Sequence, residues 1–311
     1  EVRPLTDNQV ALLKTFADQA AIAIENVRLF AEIWEKTRKV EEQAKELAEW
    51  NAALETRVAE HVSQLERLSR LDHELSLASE IQMSMLPRSI PSLDGYEFGA
   101  RMIPAKSVGG DFFDFIPLGD NLLGIAVGDV SGKGIPAALF MAMVRSLLRA
   151  EAHPGRPPRR VLRSVSRHLM DMNDNQMFVT ILYGILDGST RRFHYARAGH
   201  EAPVFFDGRG HAERMSRTNG QALGVFDEVA LDEQTVDLSR GGLLLYSDGI
   251  PESTNRQHVP FGHDEMLRTI ARLQDATARE ACDQLLGAVA RHRAGAVQHD
   301  DMTLVVVRAL R

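Results

Sequence analysis

A single cysteine, Cys282, stands in 311 residues. No disulfide can form within the chain, and the composition suits a reducing cytoplasm. No apolar run reaches the ~20 residues that cross a bilayer, and the N-terminal stretch lacks a signal-peptide pattern, so no membrane association is expected within this sequence. A basic excess is also missing. With 36 Lys and Arg against 43 Asp and Glu, the net charge is −7, which argues against a nucleic-acid or anionic-membrane partner that would need a basic face. Glycine and proline are absent from Ala31 to Gln82, so nothing there interrupts a helix. The chain opens at Glu1 rather than Met, inside a helical pattern, as expected of a piece of a longer sensor protein.

Three regions differ in pattern. Residues 1–30 contain an amphipathic helix in which Val10, Leu13, Ala17, Ala20, Ile24 and Val27 recur at helical spacing, with Thr6 or Asp7 as its N-cap. This segment resembles the closing helix of GAF sensor domains. Residues 31–86 carry a heptad pattern: Ile33, Val40, Leu47, Leu54, His61, Leu68 and Leu75 stand seven apart, with a second row at Thr37, Ala44, Asn51, Val58, Leu65 and Asp72. Six such heptads predict a parallel coiled-coil homodimer, weakened at Asn51, His61 and Asp72. A helix from Asp7 to Gln82 would be about 110 Å long, too long to stand without a partner. Pro87 and Pro91 end it.

Residues 87–311 read differently. Apolar, β-branched runs (LLGIAVGDV, FVTILYGILD, RRFHYARA, APVFFD, LLLYSDG, MTLVVVRAL) alternate with helical stretches at Pro136–Glu151, Pro158–Met172 and Asp264–Arg293, the last broken around Gln274–Thr277. Turn pairs such as Asp187-Gly188 and Asp207-Gly208 join successive strands, which favours hairpins, an antiparallel sheet and an α+β fold. Four acidic clusters stand at strand margins: Gly109-Gly110-Asp111-Phe112-Phe113-Asp114, Gly128-Asp129-Val130-Ser131-Gly132-Lys133-Gly134, Ser247-Asp248-Gly249 and His299-Asp300-Asp301-Met302-Thr303. Carboxylates converging on one sheet edge repel unless a multivalent cation holds them. Oxygen donors without a His/Cys pair favour Mg²⁺ or Mn²⁺ over Zn²⁺.

The ordered set GGDFFD, GDVSGKG, SDG and DDMT, preceded by IQMSMLP, resembles the protein phosphatase 2C-like (PPM) superfamily, in particular its bacterial SpoIIE/RsbU branch. The resemblance implies a sandwich of two antiparallel sheets flanked by helices, with two Mn²⁺ or Mg²⁺ ions at one end. It assigns Asp129 to bridge both ions with the Val130 carbonyl on one of them. Asp248 and Asp300 would hold the first ion and Asp111 the second, while Asp114 and Asp301 support that shell. Lys106, five residues before Asp111, falls near the place of a phosphate-binding arginine, and His200 in the Ala198-Gly199-His200 loop is a further substrate-binding candidate. Eukaryotic members carry a histidine two residues after the bridging aspartate; here it is Ser131, with Lys133 and His200 as substitutes for the general acid. The implied substrate is a phosphoserine or phosphothreonine on a STAS-type anti-anti-sigma protein. Two other readings compete. A catalytically weak partner-binding module would keep the fold, and a diguanylate cyclase would share GGDFF but leave SDG and DDMT unexplained.

Overall fold

The computed structural model describes residues 5–310 apart from residues 88, 120, 173–175, 217–219 and 274–275. The chain divides into two units, at Asp72 and His73.

Helix α1 spans Asp7–Met85 without interruption, as the absence of Gly and Pro dictates. At its start Gln9 Oε1 accepts the Thr6 amide and Thr6 O accepts the Val10 amide, so an orphan donor of the first turn is satisfied. The heptad residues Ile33, Val40, Leu47, Leu54 and Leu68 are exposed in the single chain. Only Gln82 of α1 is buried.

From Tyr96 the chain builds two five-stranded antiparallel sheets. The first contains β1 (Tyr96–Ile103), β10 (Met302–Ala309), β9 (Gly242–Tyr246), β6 (Val204–Phe206) and β7 (Ala212–Arg214), in that spatial order. The second runs β2 (Phe112–Pro117), β3 (Leu122–Val130), β4 (Val179–Asp187), β5 (Arg192–Ala198) and β8 (Asp232–Asp237). The Asp187-Gly188 and Asp207-Gly208 pairs open the β4–β5 and β6–β7 hairpins.

Strand periodicity places the core. Leu243, Leu245, Val305 and Val307 join Phe98, Phe115, Ile125 and Val127 in the main core. The alternate residues Leu244, Tyr246, Leu304 and Val306 face a second core with Met266, Ile270, Cys282 and Leu285. Both faces of β9 and β10 are therefore buried, which explains their unbroken apolar runs. The second core comes from α4 (Gly262–Ala271) and α5 (Ala278–Arg293); of the expected break between them, Gln274 and Asp275 lie outside the described residues. Thr277 begins α5 with a reciprocal capping box to Glu280. Helices α2 (Ile135–Glu151) and α3 (Pro158–Met172) cover the second sheet through Met141, Val144, Leu162 and Leu169. Phe112 and Phe193 are fully buried, each contributing roughly 1.5–3 kcal/mol by leaving water.

Candidate active site

The fold gathers the acidic motifs at one end of the two sheets. Asp129 lies near the end of β3, and the pairing of Phe112 with Gly128 brings Asp111, just before β2, beside it. In the other sheet, Leu304 pairs with Tyr246, and the Ser247 amide donates to Thr303 O at 3.0 Å. Asp248 therefore leaves β9 where Asp300 and Asp301 enter β10.

Electrostatics report how closely these groups crowd. The Asp129 carboxyl is pushed up to about 7, first by burial and then by the charges of Asp248 and Asp300. Asp248 is pushed up to about 6 by burial, with Glu252, Asp300 and Glu201 adding to it. Asp111 is 1% exposed and is raised well above the ordinary carboxyl range by burial and by Asp129. Its Oδ2 accepts the Ser247 hydroxyl at 2.6 Å, and Ser247 Oγ in turn accepts the Thr303 amide at 2.9 Å.

Asp301 plays a different part. Its carboxylate accepts the amides of Ala105 at 2.8 Å and Gly110 at 2.9 Å, with Asp111 N at 3.4 Å. It ties the loop after β1 to the start of β10 and so fixes where Asp111 sits. This contact explains the paired glycines of the first motif. A Cβ on Gly109 would come within 2.0 Å of Asp301 Oδ2, and one on Gly110 within 2.7 Å of the Val130 carbonyl oxygen. Gly249 has the same constraint, since its Cβ would meet Asp301 O at 1.9 Å.

The remaining expected residues are placed less uniformly. Asp114 is fully buried, but its partners lie on α2. Arg149 Nε and Nη2 donate to its two oxygens at 2.6 Å each, and Arg145 Nη2 donates at 3.2 Å. Arg145 Nε is 3.1 Å away but poorly aimed, so that contact is coulombic only. Asp114 thus anchors α2 to β2, a role different from the support of the acidic shell expected of it. His200 corrects the sequence expectation more sharply. It is 3% exposed, its Nδ1 lies 2.9 Å from Thr180 Oγ1, and burial depresses it to about 4. An imidazole so enclosed and held neutral is poorly placed to meet a substrate phosphate or to give up a proton near neutral pH. Lys106 is exposed on the loop that Asp301 holds. Ser131 is engaged in backbone structure: its Oγ accepts the Phe178 amide at 2.9 Å. Lys133 Nζ donates to Asp300 Oδ2 at 3.0 Å and to His299 O at 2.5 Å.

Sequence reasoning missed the Lys133–Asp300 pair, the Ser247 hydroxyl on Asp111 and the role of Gln82. Gln82 Nε2 donates to Gly109 O at 2.6 Å, and Gly109 N donates back to Gln82 Oε1 at 3.1 Å. The buried side chain of the last turn of α1 thereby grips the backbone next to Asp111. The signal available was a glutamine near Ser84 within IQMSMLP, which periodicity does not single out.

Among the described residues, no three acidic, histidine or cysteine side chains form a ready-made coordination sphere. The donor set nevertheless fits hard divalent cations. It is all oxygen, the Val130 carbonyl stands against a bare glycine, and Asp129 and Asp248 are pushed up to about 7 and about 6, first by burial and then by neighbouring carboxylates. A dication relieves that repulsion.

The family model for Stage II sporulation protein E (SpoIIE) matches residues 119–310. The chain belongs to the SpoIIE family. Phosphoserine phosphatase RsbU of Bacillus subtilis (strain 168) is 27% identical over 236 residues, 76% of this chain and 70% of RsbU. Protein IcfG of Synechocystis sp. is 29% identical over 262 residues, 75% of this chain, although the chain spans only 41% of IcfG. The SiaA-PP2C domain of Pseudomonas aeruginosa superposes with a TM-score of 0.70 at 21% identity, covering 78% of this chain and 98% of that domain. The fold of this SpoIIE-family member is therefore that of protein phosphatase 2C.

Proposed function

We propose that this SpoIIE-family chain is a metal-dependent protein serine/threonine phosphatase. Its substrate would be a phosphoserine or phosphothreonine on a regulatory protein, of the STAS anti-anti-sigma type. The observation that carries this reading is the convergence of Asp111, Asp129, Asp248 and Asp300 from four strand ends of two sheets.

When bound, two Mn²⁺ or Mg²⁺ ions supply an activated water for direct attack on phosphorus and neutralise the phosphoryl oxygens. Asp129 would face both ions, the Val130 carbonyl and Asp111 would serve one, and Asp248 and Asp300 the other. Asp301 keeps the Gly110–Asp111 backbone in place through its two short amide contacts. Lys133, paired with Asp300, would offer a positive charge to an anionic substrate beside the ions. Lys106 offers a second positive charge for the substrate phosphate. No protein nucleophile is needed; Cys282 is fully buried, its thiol pushed up to about 12 by burial. We further assign α1 as a linker that pairs with a second copy along the Ile33–Leu75 seam and acts on the site through Gln82.

The test is hydrolysis of a phosphoserine-bearing STAS protein by the purified chain, with Mn²⁺ and with EDTA. Turnover should require the metal, and Asp129→Asn and Asp248→Asn should each retain less than about a tenth of it. Metal-independent turnover, or full activity in either variant, would refute the assignment.

A further inference from the structure

The end of the sandwich opposite the acidic cluster is basic. A cavity of about 520 Å³ opens there, lined by Arg191, Arg209, Arg240 and Arg308 with Asp207 and Ser239 among the other walls. Strand β9 starts at this cavity with Gly242 and ends at Tyr246, just before Asp248. Five strand residues place the two sites roughly 17 Å or more apart. The cavity is built from both sheets: Arg191 lies in the β4–β5 turn and Arg240 follows β8, whereas Arg209 lies in the β6–β7 turn and Arg308 is on β10.

Four guanidiniums and one carboxylate line the cavity itself, in a chain of net charge −7. The nearby acids also accept backbone amides. Asp207 Oδ1 accepts the amides of Arg209 at 2.7 Å and His211 at 3.1 Å. Asp237 Oδ1 accepts the Ser239 amide at 2.8 Å, and Asp187 Oδ1 accepts the Ser189 and Thr190 amides. Arg308 is engaged with Glu97, Nη1 to Oε1 at 3.9 Å. Arg209 and Arg240 are exposed and form no ion pair among the described residues.

The backbone at the cavity lip adds an independent observation. Arg191 sits at φ 56°, in the left-handed region that glycine or asparagine would occupy at lower cost. Its carbonyl accepts the Leu238 amide at 2.8 Å, and its Nη1 lies 3.4 Å from Ser239 O. The fold thus holds an arginine, rather than the residue the turn favours, with its side chain lying across the two lips.

We propose that this cleft is a binding site for a compact, multiply charged oxyanion of the pyrophosphate or bisphosphate class. Guanidinium forks match paired phosphoryl oxygens, and two or more of them converge here from different sheets. The volume suits a small ligand. No aromatic side chain lines the cavity, so there is no surface on which a nucleobase would stack. Binding would staple the far ends of the two sheets together. This site is independent of the phosphatase reading and of its metals.

The test is isothermal titration of the whole chain with sodium pyrophosphate, in EDTA at low ionic strength, so that metals at the acidic end do not contribute. Saturable 1:1 binding is expected, weakened at least tenfold in Arg209→Gln/Arg240→Gln and unchanged in Asp248→Asn. Higher salt should weaken it. Co-sedimentation with phosphatidylcholine vesicles containing phosphatidic acid separates the two sources of such a group. Capture reversed by pyrophosphate supports a lipid headgroup, and pyrophosphate binding without capture supports a free metabolite. Absence of both, or equal pyrophosphate binding by the double variant, would overturn the proposal.

Discussion

Asp129→Asn should stabilise the metal-free chain while abolishing its activity. The Asp129 carboxyl rises from 3.8 to about 7, with burial as the largest cause and Asp248 and Asp300 next. The folded state therefore binds a proton more tightly than the unfolded chain between those two values. Stability is fully retained below the unfolded value near 4 and is lost as pH rises through the folded value near 7. The interval corresponds to on the order of 4 kcal/mol. Asp129 is only partly enclosed, and water reaching it reduces the expected gain to roughly 2 kcal/mol. Urea denaturation in EDTA at pH 4, 6 and 8 measures it: the variant and parent should coincide at pH 4 and separate progressively, with the variant more stable at pH 8. Mn²⁺ should reverse the ranking at pH 8, because an ion at a hundred times its Kd contributes about 2.7 kcal/mol to the parent alone. If the variant were equally or less stable than the parent at pH 8 in EDTA, the crowding of carboxylates inferred here would be wrong.

Other expectations follow from single contacts. Arg145→Met should destabilise the domain by about 2–3 kcal/mol in urea, because it leaves the fully buried Asp114 with Arg149 as its one remaining cation; the more exposed Arg149 should cost less, about 1 kcal/mol, and the reverse order would sink this reading. His200, depressed from 6.5 to about 4, gives stability that is present above pH 6.5 and lost as pH falls toward 4. His200→Asn should therefore remove about 3 kcal/mol of acid sensitivity, and identical pH slopes for the two proteins would contradict it. Lys106→Ala should lower kcat/KM about tenfold if it holds the substrate phosphate, and unchanged kinetics would leave it a solvated loop residue. Gln82→Leu, which keeps the volume but loses both contacts with Gly109, should weaken Mn²⁺ activation at least severalfold with little change in urea midpoint, and an unaltered metal dependence would remove Gln82 from the coupling path.

Much of the architecture was legible because local chemistry and tertiary context agree. The apolar runs became strands, and LLLY and MTLVVVRA carry no polar alternation because a second core of α4 and α5 covers their outer face. The helix boundaries at Pro158 and Thr277 follow from proline and from a capping box visible as Thr-x-x-Glu. The four acidic motifs stand at strand margins of the two sheets. What the sequence hid is the identity of partners far apart in the chain. Asp114 looks like Asp111 in GGDFFD, yet three residues along a strand put it on the opposite face, where Arg145 and Arg149 wait 31 and 35 positions later. A histidine in a Gly-His turn suggests exposure, but the Ile181–Gly199 bridge draws His200 into the interior. Side-chain burial of this kind has no periodic signature.

The loop from Ala105 to Asp111 is where stability and control meet. It has no regular secondary structure, and its place is fixed by two side chains from outside it. Asp301 binds its amides from the start of β10, and Gln82 binds Gly109 from the last turn of α1. The first anchor belongs to the sheet and moves only if β10 moves. The second belongs to a helix whose upstream heptads are exposed in the single chain. A turn or slide of that helix by a fraction of a residue would break two hydrogen bonds at 2.6 and 3.1 Å while leaving both cores intact. Because Asp111 follows Gly109 by two residues and its charge is already disfavoured by burial and by Asp129, loss of the Gln82 grip acts directly beside that carboxylate. A coupling of 1–3 kcal/mol, the range of allosteric effects in general, is within reach of two such hydrogen bonds. Under the proposed linker role of α1, control of this site would not require the phosphatase fold to rearrange, only the end of one helix to change its hold on one glycine.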